Sequence, residues 1–141
     1  MQQNGPMRVM LVEDNPGDVE LMRMAMDCGG FPYVMNVFSD GADALACIRK
    51  LNVEGTTLPS VIILDLNLPK YDGLEVLGEV RSYPKLAEIP ITILTSSSSS
   101  RERLPVQVYT RVQFLTKPVD LDEYLALGTT IRDFVNSDCI N

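Results

Sequence analysis

Short apolar runs alternate with longer segments in which apolar residues recur at helical spacing, and five such pairs follow one another along the chain. The short runs are rich in β-branched residues and predict strands, and two of them, VIILD and ITILT, are apolar almost throughout. Such runs are typical of parallel strands that are covered on both faces. The predicted strands span Arg8–Glu13, Tyr33–Phe38, Ser60–Asp65, Ile91–Thr95 and Val112–Thr116.

The longer segments have the spacing of amphipathic helices, and residues with capping chemistry stand at several of their ends. The predicted helices span Pro16–Cys28, Asp40–Leu51, Gly73–Ser82, a segment near Arg101–Tyr109, and Leu121–Asn136. The capping signals are Asn15 before Pro16, Asp72 with Glu75, Asp120 with Glu123, and a stop at Gly29-Gly30.

Repeated strand–helix units predict a parallel sheet with right-handed crossovers and helices on both faces. Five units favour an α/β, doubly wound fold with five helices and the strand order 2-1-3-4-5. Ligands bind such sheets beyond the carboxyl ends of the strands, where the strand order reverses. The 141 residues, 45% of them hydrophobic, predict a single domain over 1–141 without a separate output domain. Its core is expected over about 7–137.

Charge and composition exclude several classes of protein. The net charge of -7 repels phosphate backbones and anionic lipids, so we expect neither nucleic acid nor a membrane as a partner. No apolar run approaches the roughly 20 residues of a membrane span, and the first residues lack a signal-peptide pattern. Three widely spaced cysteines, Cys28, Cys47 and Cys139, fit reduced thiols. These features predict a cytoplasmic protein.

Histidine is absent from the chain, which excludes histidine-based acid–base catalysis and metal ligation. The candidate chemistry lies instead at the carboxyl ends of the predicted strands, where the sequence places Glu13, Asp14, Asp65, Thr95 and Lys117. Strands 1 and 3 are neighbours in the predicted order, so the carboxylates should converge. Carboxylates that lie close together repel one another, and a stable ionised cluster needs a cation. Oxygen ligands suit Mg²⁺, with Mn²⁺ as the natural substitute.

One of these carboxylates is expected to be a nucleophile toward phosphorus. Asp65 is the strongest candidate because it ends the central strand and precedes a turn whose Pro69 and Gly73 would leave its oxygen exposed. Glu13 and Asp14 would then hold the metal with Asp65, and the main-chain carbonyl of Asn67 could complete the protein ligands. The remaining side chains, Thr95 and Lys117, could each contact a phosphoryl oxygen.

The segments VEDNPGD, LDLNLPKYDG, ILTSS and FLTKP together resemble the receiver domain of two-component response regulators, and the resemblance covers nearly the whole chain. It implies that a sensor histidine kinase phosphorylates Asp65, with Mg²⁺ bound. The roles that it implies are a metal pair at Glu13 and Asp14, a phosphoacceptor at Asp65, a carbonyl ligand at Asn67, a switch hydroxyl at Thr95, a switch aromatic at Phe114 and a phosphate clamp at Lys117.

The same resemblance implies a cis Lys117–Pro118 bond. The opening VEDNPGDVELMR is most similar to the small stand-alone regulators of cyanobacterial and bacterial phytochromes. That similarity implies a phytochrome as the partner kinase and a homodimer as a further association. Phe114 is equally compatible with a purely structural place in the core.

One segment departs from the family pattern: SSSSSRERLPVQVYTRVQFL stands where the family has a helix ending in Gly-Ala. Pro105 is incompatible with a helix interior, and Arg111 replaces a glycine that would permit a left-handed stop. We therefore predict a short or distorted helix there, next to a run of serines over Ser96–Ser100. This region forms the usual output surface of the family.

The residues leave two alternative functions open. A haloacid-dehalogenase-type phosphatase also uses an aspartyl nucleophile, Mg²⁺ and a lysine, but it needs an acid where this chain has Asn67. A pseudo-receiver scaffold would function without phosphate. On the favoured interpretation the chain is not an enzyme in the usual sense, since it catalyses only its own phosphorylation and dephosphorylation.

Overall fold

A computed structural model describes residues 5–54, 57–66, 73–96 and 110–137. Five parallel strands form one sheet in the order 2-1-3-4-5, which confirms the predicted topology. The strands are β1 (Met7–Val12), β2 (Tyr33–Phe38), β3 (Val61–Asp65), β4 (Ile91–Thr95) and β5 (Val112–Thr116). Only β1 and β3 differ from the predicted bounds: β1 begins and ends one residue earlier than predicted, and β3 begins one residue later.

Helices cover both faces of this sheet. They are α1 (Pro16–Gly29), α2 (Gly41–Glu54), α3 (Gly73–Ser82), a 3₁₀ turn at Pro84–Leu86, α4 (Leu121–Leu125) and α5 (Leu127–Asn136). The single helix predicted over Leu121–Asn136 is interrupted at Ala126, which keeps right-handed helical angles, so the interruption is local. The 3₁₀ turn was not predicted. The helix predicted near Arg101–Tyr109 lies outside the described residues.

Capping residues begin and end α1 as predicted. The Asn15 side chain accepts hydrogen bonds from the backbone N–H groups of Gly17 and Asp18, at 2.8 and 3.2 Å. The helix ends at Gly30, whose φ of 75° is the left-handed conformation that glycine adopts without strain. Asp120 caps α4 in the same way as Asn15 caps α1. The predicted cap at 72 lies outside the described residues.

Two apolar layers hold the sheet. On one face, β1, β3 and β4 pack against α2 and α3, through a cluster that includes Met10, Val12, Ile48, Ile62, Leu64, Leu77 and Ile93. On the other face the sheet packs against α1, α4 and α5, through a cluster that includes Val9, Leu11, Met22, Met26, Ile63, Leu94 and Ile131. Every residue of β3 and β4 is buried, which explains why their sequences are apolar almost throughout.

Helices α1 and α5 approach each other at backbone distance. A Cβ atom added at Gly128 would overlap the carbonyl oxygen of Ala25 in α1. The contact therefore requires a residue without a side chain, and it fixes the spacing of the two helices.

A hydrogen-bond network joins the segments that precede β4 and β5, at the amino ends of these strands. The Arg81 guanidinium, in the last turn of α3, donates to the carbonyl oxygens of Ile89, Thr110 and Arg111 at 2.8, 3.0 and 3.1 Å. Arg111 adopts a φ of 59°, the left-handed conformation for which glycine is usual. Its own guanidinium donates to the carbonyl of Glu88 at 2.9 Å, which supports the turn from the side chain.

The cis bond predicted at Lys117–Pro118 is wrong, because no peptide bond among the described residues is cis. Trans is the ordinary state, favoured by about 0.5–1 kcal/mol before proline. With this bond trans, the Lys117 N–H donates to the carbonyl of Thr95 at 2.7 Å.

The cysteines within the described ranges, Cys28 and Cys47, are free thiols, as predicted, and Cys139 lies outside those ranges. None of the described helices has the length and apolar character needed to cross a membrane.

Candidate functional site

Three carboxylates converge where β1 and β3 end. Val12 pairs with Leu64 across the two strands, so the residues that follow them emerge side by side. Carboxylate oxygens of Glu13, Asp14 and Asp65 all lie within 4.8 Å of one another. The sequence prediction that this cluster forms at the strand ends is therefore correct in its geometry.

The members of this acidic cluster differ in burial. Glu13 is 3% exposed and Asp65 6% exposed, whereas Asp14 is exposed to solvent. Asp65 is less accessible than the turn composition after it had suggested. A cluster with two buried acids and one exposed acid is open on one side, and that side is where a solvated ion or a phosphoryl group can enter.

Lys117 supplies the positive charge of the site. It follows β5, and its ammonium donates to Asp18 at 2.8 Å, to Glu13 at 3.0 Å and to Asp65 at 3.3 Å. The Lys117 side chain is only 12% exposed, so these contacts are poorly screened by water. The predicted approach of Lys117 to the acidic cluster is found in the structure.

Burial and charge shift the protonation equilibria of this group. Desolvation raises the pKa of Glu13 to about 7, and the negative charge of Asp65 adds to the rise, while the hydrogen bond from Lys117 opposes it. Burial alone would lower the pKa of Lys117, but hydrogen bonds to Asp18 and Glu13 outweigh burial and raise it. Lys117 is therefore a stable cation, and it only partly offsets the repulsion between the two buried acids.

The donor set fits a hard divalent cation. All three cluster ligands are carboxylate oxygens, and neither nitrogen nor sulfur ligands accompany them in this group. Mg²⁺ and Mn²⁺ are commonly bound by one or two carboxylates with water and phosphate oxygens in the other positions. The predicted carbonyl ligand Asn67 lies outside the described residues.

Thr95 and Phe114, the predicted switch residues, lie on the neighbouring strands β4 and β5. Thr95 ends β4 and is fully buried, and its carbonyl accepts the hydrogen bond from the Lys117 N–H. Phe114 lies on β5, is partly buried and packs against the core cluster under α2 and α3. Packing of Phe114 in the core is compatible with either of the two roles considered for it.

Asp18 was missed as a site residue, although its contact with Lys117 is the shortest of the three. It lies in the first turn of α1 and belongs to the segment VEDNPGD. An acid in a first helical turn is common because of the helix dipole, so its type and position alone indicate nothing more. Only the folded structure, which brings the first turn of α1 next to the residue that follows β5, reveals that Asp18 faces Lys117.

Gly73 supports the position of Asp65. A Cβ atom on Gly73 would lie 2.7 Å from the carbonyl oxygen of Asp65 and 2.9 Å from the Cα atom of Leu66. The Gly73 N–H also donates to the carbonyl of Leu66 at 3.1 Å. The first residue of α3 therefore packs directly on the backbone that presents the Asp65 carboxylate.

Known proteins share both this fold and this sequence pattern. Residues 9–127 match the family model of the response regulator receiver domain. The response regulator Rcp1 of Synechocystis sp. is 31% identical over 134 residues, which cover 94% of this chain and 91% of Rcp1. The probable methanogenesis regulatory protein FilR2 of Methanothrix harundinacea is 30% identical over 134 residues, with coverage of 95% and 86%.

Solved structures give the same result. The phosphorylated cyanobacterial phytochrome response regulator RcpA has a TM-score of 0.83 at 31% identity, and the Mn²⁺-bound form of Rcp1 has 0.80 at 30%. Each alignment covers 94% of this chain and 96% of the other. The chain belongs to the response regulator receiver domain family, whose members act in phosphorylation-based two-component signalling. Its similarity to phytochrome response regulators agrees with the narrower resemblance of its first helix.

Proposed function

We propose that this receiver domain accepts a phosphoryl group on Asp65 from the phosphohistidine of a sensor histidine kinase, with Mg²⁺ bound by Glu13, Asp14 and Asp65. The single observation that carries the proposal is the convergence of these carboxylates within 4.8 Å, beside the ammonium of Lys117. No other arrangement among the described residues combines an oxygen-only cation site with a partly buried lysine.

The transfer forms one bond and breaks another. An Asp65 carboxylate oxygen attacks phosphorus, the oxygen–phosphorus bond forms, and the bond between phosphorus and the kinase imidazole breaks. The electron pair of the broken bond stays on the imidazole nitrogen. Such reactions depend mainly on positioning and on cations that stabilise the phosphoryl oxygens. Lys117 lies 3.3 Å from Asp65 Oδ2 and is placed to pair with one of these oxygens.

Bound Mg²⁺ would neutralise charge on the phosphoryl oxygens and on the carboxylates themselves. The residues present fit that ion. The pKa of Glu13 is raised to about 7, first by burial and also by the negative charge of Asp65, and a bound divalent ion would stabilise the ionised carboxylate against both effects. Mn²⁺ has the same ligand preference and is the expected substitute; one similar structure, that of Rcp1, is described as Mn²⁺-bound.

The phosphorylated state would act by shifting the conformational population of the β4 and β5 ends. Thr95 is buried at the end of β4 and is hydrogen-bonded through its carbonyl to Lys117, so it is placed to sense a new group on Asp65. Phe114 follows as the proposed switch aromatic on the neighbouring strand. A ligand or modification shifts such an equilibrium by its differential interaction with the two states.

The test is labelling by phosphoramidate or acetyl phosphate with Mg²⁺, measured by intact mass. We expect one phosphoryl group that is stable in acid and labile in base, and none on the Asp65→Asn variant. Asp43→Asn is the matched control, because Asp43 is an exposed acid in the first turn of α2. Equal labelling of Asp65→Asn and wild type would contradict the assignment, and turnover of a phosphomonoester would favour a phosphatase.

The partner kinase is proposed to be of the phytochrome class, since several similar proteins are phytochrome response regulators. A phosphotransfer profile against the histidine kinases of the source organism tests this choice, and transfer from a non-phytochrome kinase in preference would contradict it. We further propose a cytoplasmic location, no external substrate, and a homodimer. The native mass, with and without phosphoramidate, tests the dimer.

A further inference from the structure

The Lys117 ammonium has three N–H donors, and the structure offers them three carboxylate acceptors. Glu13 and Asp65 belong to the acidic cluster, where each also serves as a candidate metal ligand. Asp18 lies outside that cluster and makes the shortest of the three contacts, at 2.8 Å. Among the described residues, Asp18 is therefore the acceptor of Lys117 that is not also a candidate metal ligand.

Asp18 is itself held in place. Its backbone N–H donates to the Asn15 side chain at 3.2 Å, as part of the cap that begins α1, and its own side chain is 24% exposed. A lysine that is 12% exposed and meets an anchored acid differs from an exposed ion pair, in which both side chains remain free to move. The helix cap thus fixes one end of the contact.

Tyr124 of α4 lies next to this pair and is 3% exposed. Burial raises its pKa to about 12, and the negative charge of Asp18 is the next largest cause. The phenol therefore remains neutral beside the pair. Its ring packs within the core cluster that includes residues of α1 and α5.

We propose that Asp18 is a positioning residue that orients Lys117 toward the phosphoacceptor Asp65. The inference rests on the proposed function, and it adds a residue to the machinery of phosphoryl transfer. With two donors directed to Asp18 and Glu13, the tetrahedral ammonium directs its third donor to Asp65. When Glu13 binds a cation, Asp18 is the acceptor that keeps the ammonium in the site.

The test is a double-mutant cycle on the rate of labelling by phosphoramidate at saturating Mg²⁺. We expect Asp18→Ala to slow labelling about tenfold. A displacement of about 1 Å at a reacting group can cost about a hundredfold, and Asp18 acts only through the position of Lys117. Asp18→Asn keeps an oxygen acceptor and should lose only about threefold, because charge-assisted bonds are roughly twice as strong as neutral ones. In a Lys117→Ala background, Asp18→Ala should have almost no further effect, since coupled residues are not additive.

A second readout uses the protein without metal. The ammonium of Lys117 should give a ¹H–¹⁵N NMR signal that is identified by its loss in Lys117→Ala. We expect the signal to persist in Asp18→Asn and to weaken in Asp18→Ala, because the ammonium loses its shortest contact and its protons exchange faster with solvent. An unchanged signal in Asp18→Ala would contradict the role of Asp18. Glu20→Gln removes the same charge from an exposed position of the same helix, and it should leave both the signal and the labelling rate unchanged.

The outcomes separate the two proposals. If wild type takes no label, the proposed function fails. If wild type labels and Asp18→Ala labels at the same rate, only the role of Asp18 fails. Equal slowing by Asp18→Ala in the wild-type and Lys117→Ala backgrounds would also overturn it, because the effect would then not pass through the lysine. Asp18→Asn provides the comparison if the alanine variant does not fold.

Discussion

Two partly buried cations lie at opposite ends of the sheet and have different surroundings. At the carboxyl ends, the Lys117 ammonium meets three carboxylates. At the amino ends, the Arg81 guanidinium meets main-chain carbonyls of the segments before β4 and β5. The carboxylates raise the pKa of Lys117 despite its burial, whereas burial lowers the pKa of Arg81 and the charge of Arg111 adds to the effect.

The acceptors explain the difference. Main-chain carbonyls accept the hydrogen bonds of the Arg81 guanidinium, and these acceptors are neutral. The Arg81 network therefore connects two loops without a carboxylate that could bind a metal or be phosphorylated. Carboxylates concentrate negative charge, and a new group on one of them changes the balance for all. We therefore expect the Arg81 network to contribute to stability and the Lys117 site to serve the proposed phosphoryl transfer.

Removal of Lys117 should have the largest effect, and it should affect chemistry. We expect Lys117→Ala to slow phosphoramidate labelling about a hundredfold, as removal of a preorganised transition-state donor does elsewhere. Lys85→Ala, at an exposed lysine of the 3₁₀ turn, is the control. The rate of phosphoryl incorporation at saturating Mg²⁺ measures both. Unchanged labelling in Lys117→Ala would remove the functional half of the comparison.

Removal of Arg81 should affect stability instead. Arg81→Met leaves several carbonyl groups without their charged donor, and we expect the free energy of unfolding to fall by about 2 kcal/mol. The labelling rate at a temperature where the variant is folded should match that of wild type. Urea unfolding measures the first, with Arg49→Met at an exposed arginine as control. A labelling defect without a stability loss would reverse the assignment.

Arg111 allows a finer test of the amino end, where the backbone itself carries strain. Arg111→Gly and Arg111→Ala both lose the guanidinium, but only glycine adopts a φ near 59° without a steric cost. After the entropy of the unfolded glycine chain is subtracted, we expect the glycine variant to be more stable by about 0.5–1 kcal/mol. Equal unfolding midpoints would show that the turn relaxes when the side chain is lost.

The acidic cluster was predictable from sequence because it requires only strand order and strand ends. The runs VIILD and ITILT set these ends clearly, because their last residues are Asp65 and Thr95 themselves. Asp18 and Arg81 were not predictable in the same way, since their partners lie on other elements, 99 residues away for Asp18. Their contacts depend on how helices pack on the sheet, which periodicity does not specify.

The wrong prediction has a different origin. The cis bond at Lys117–Pro118 came from resemblance to a family, and no feature of the residues themselves favours the rarer isomer. The predictions for Asn67 and for the helix near Arg101–Tyr109 concern residues outside the described ranges and remain predictions.

The missing side chain at Gly128 has a consequence for the distant acid on α1. Because Gly128 of α5 lies directly against the backbone of α1 at Ala25, with no side chain between them, the two helices are closely packed at this point. We therefore expect a rotation of α1 that withdraws Asp18 to disturb α5, which follows α4 and the residues after β5 along the chain. The position of Asp18 relative to Lys117 thus depends on a separation between α1 and α5 that only glycine allows at position 128.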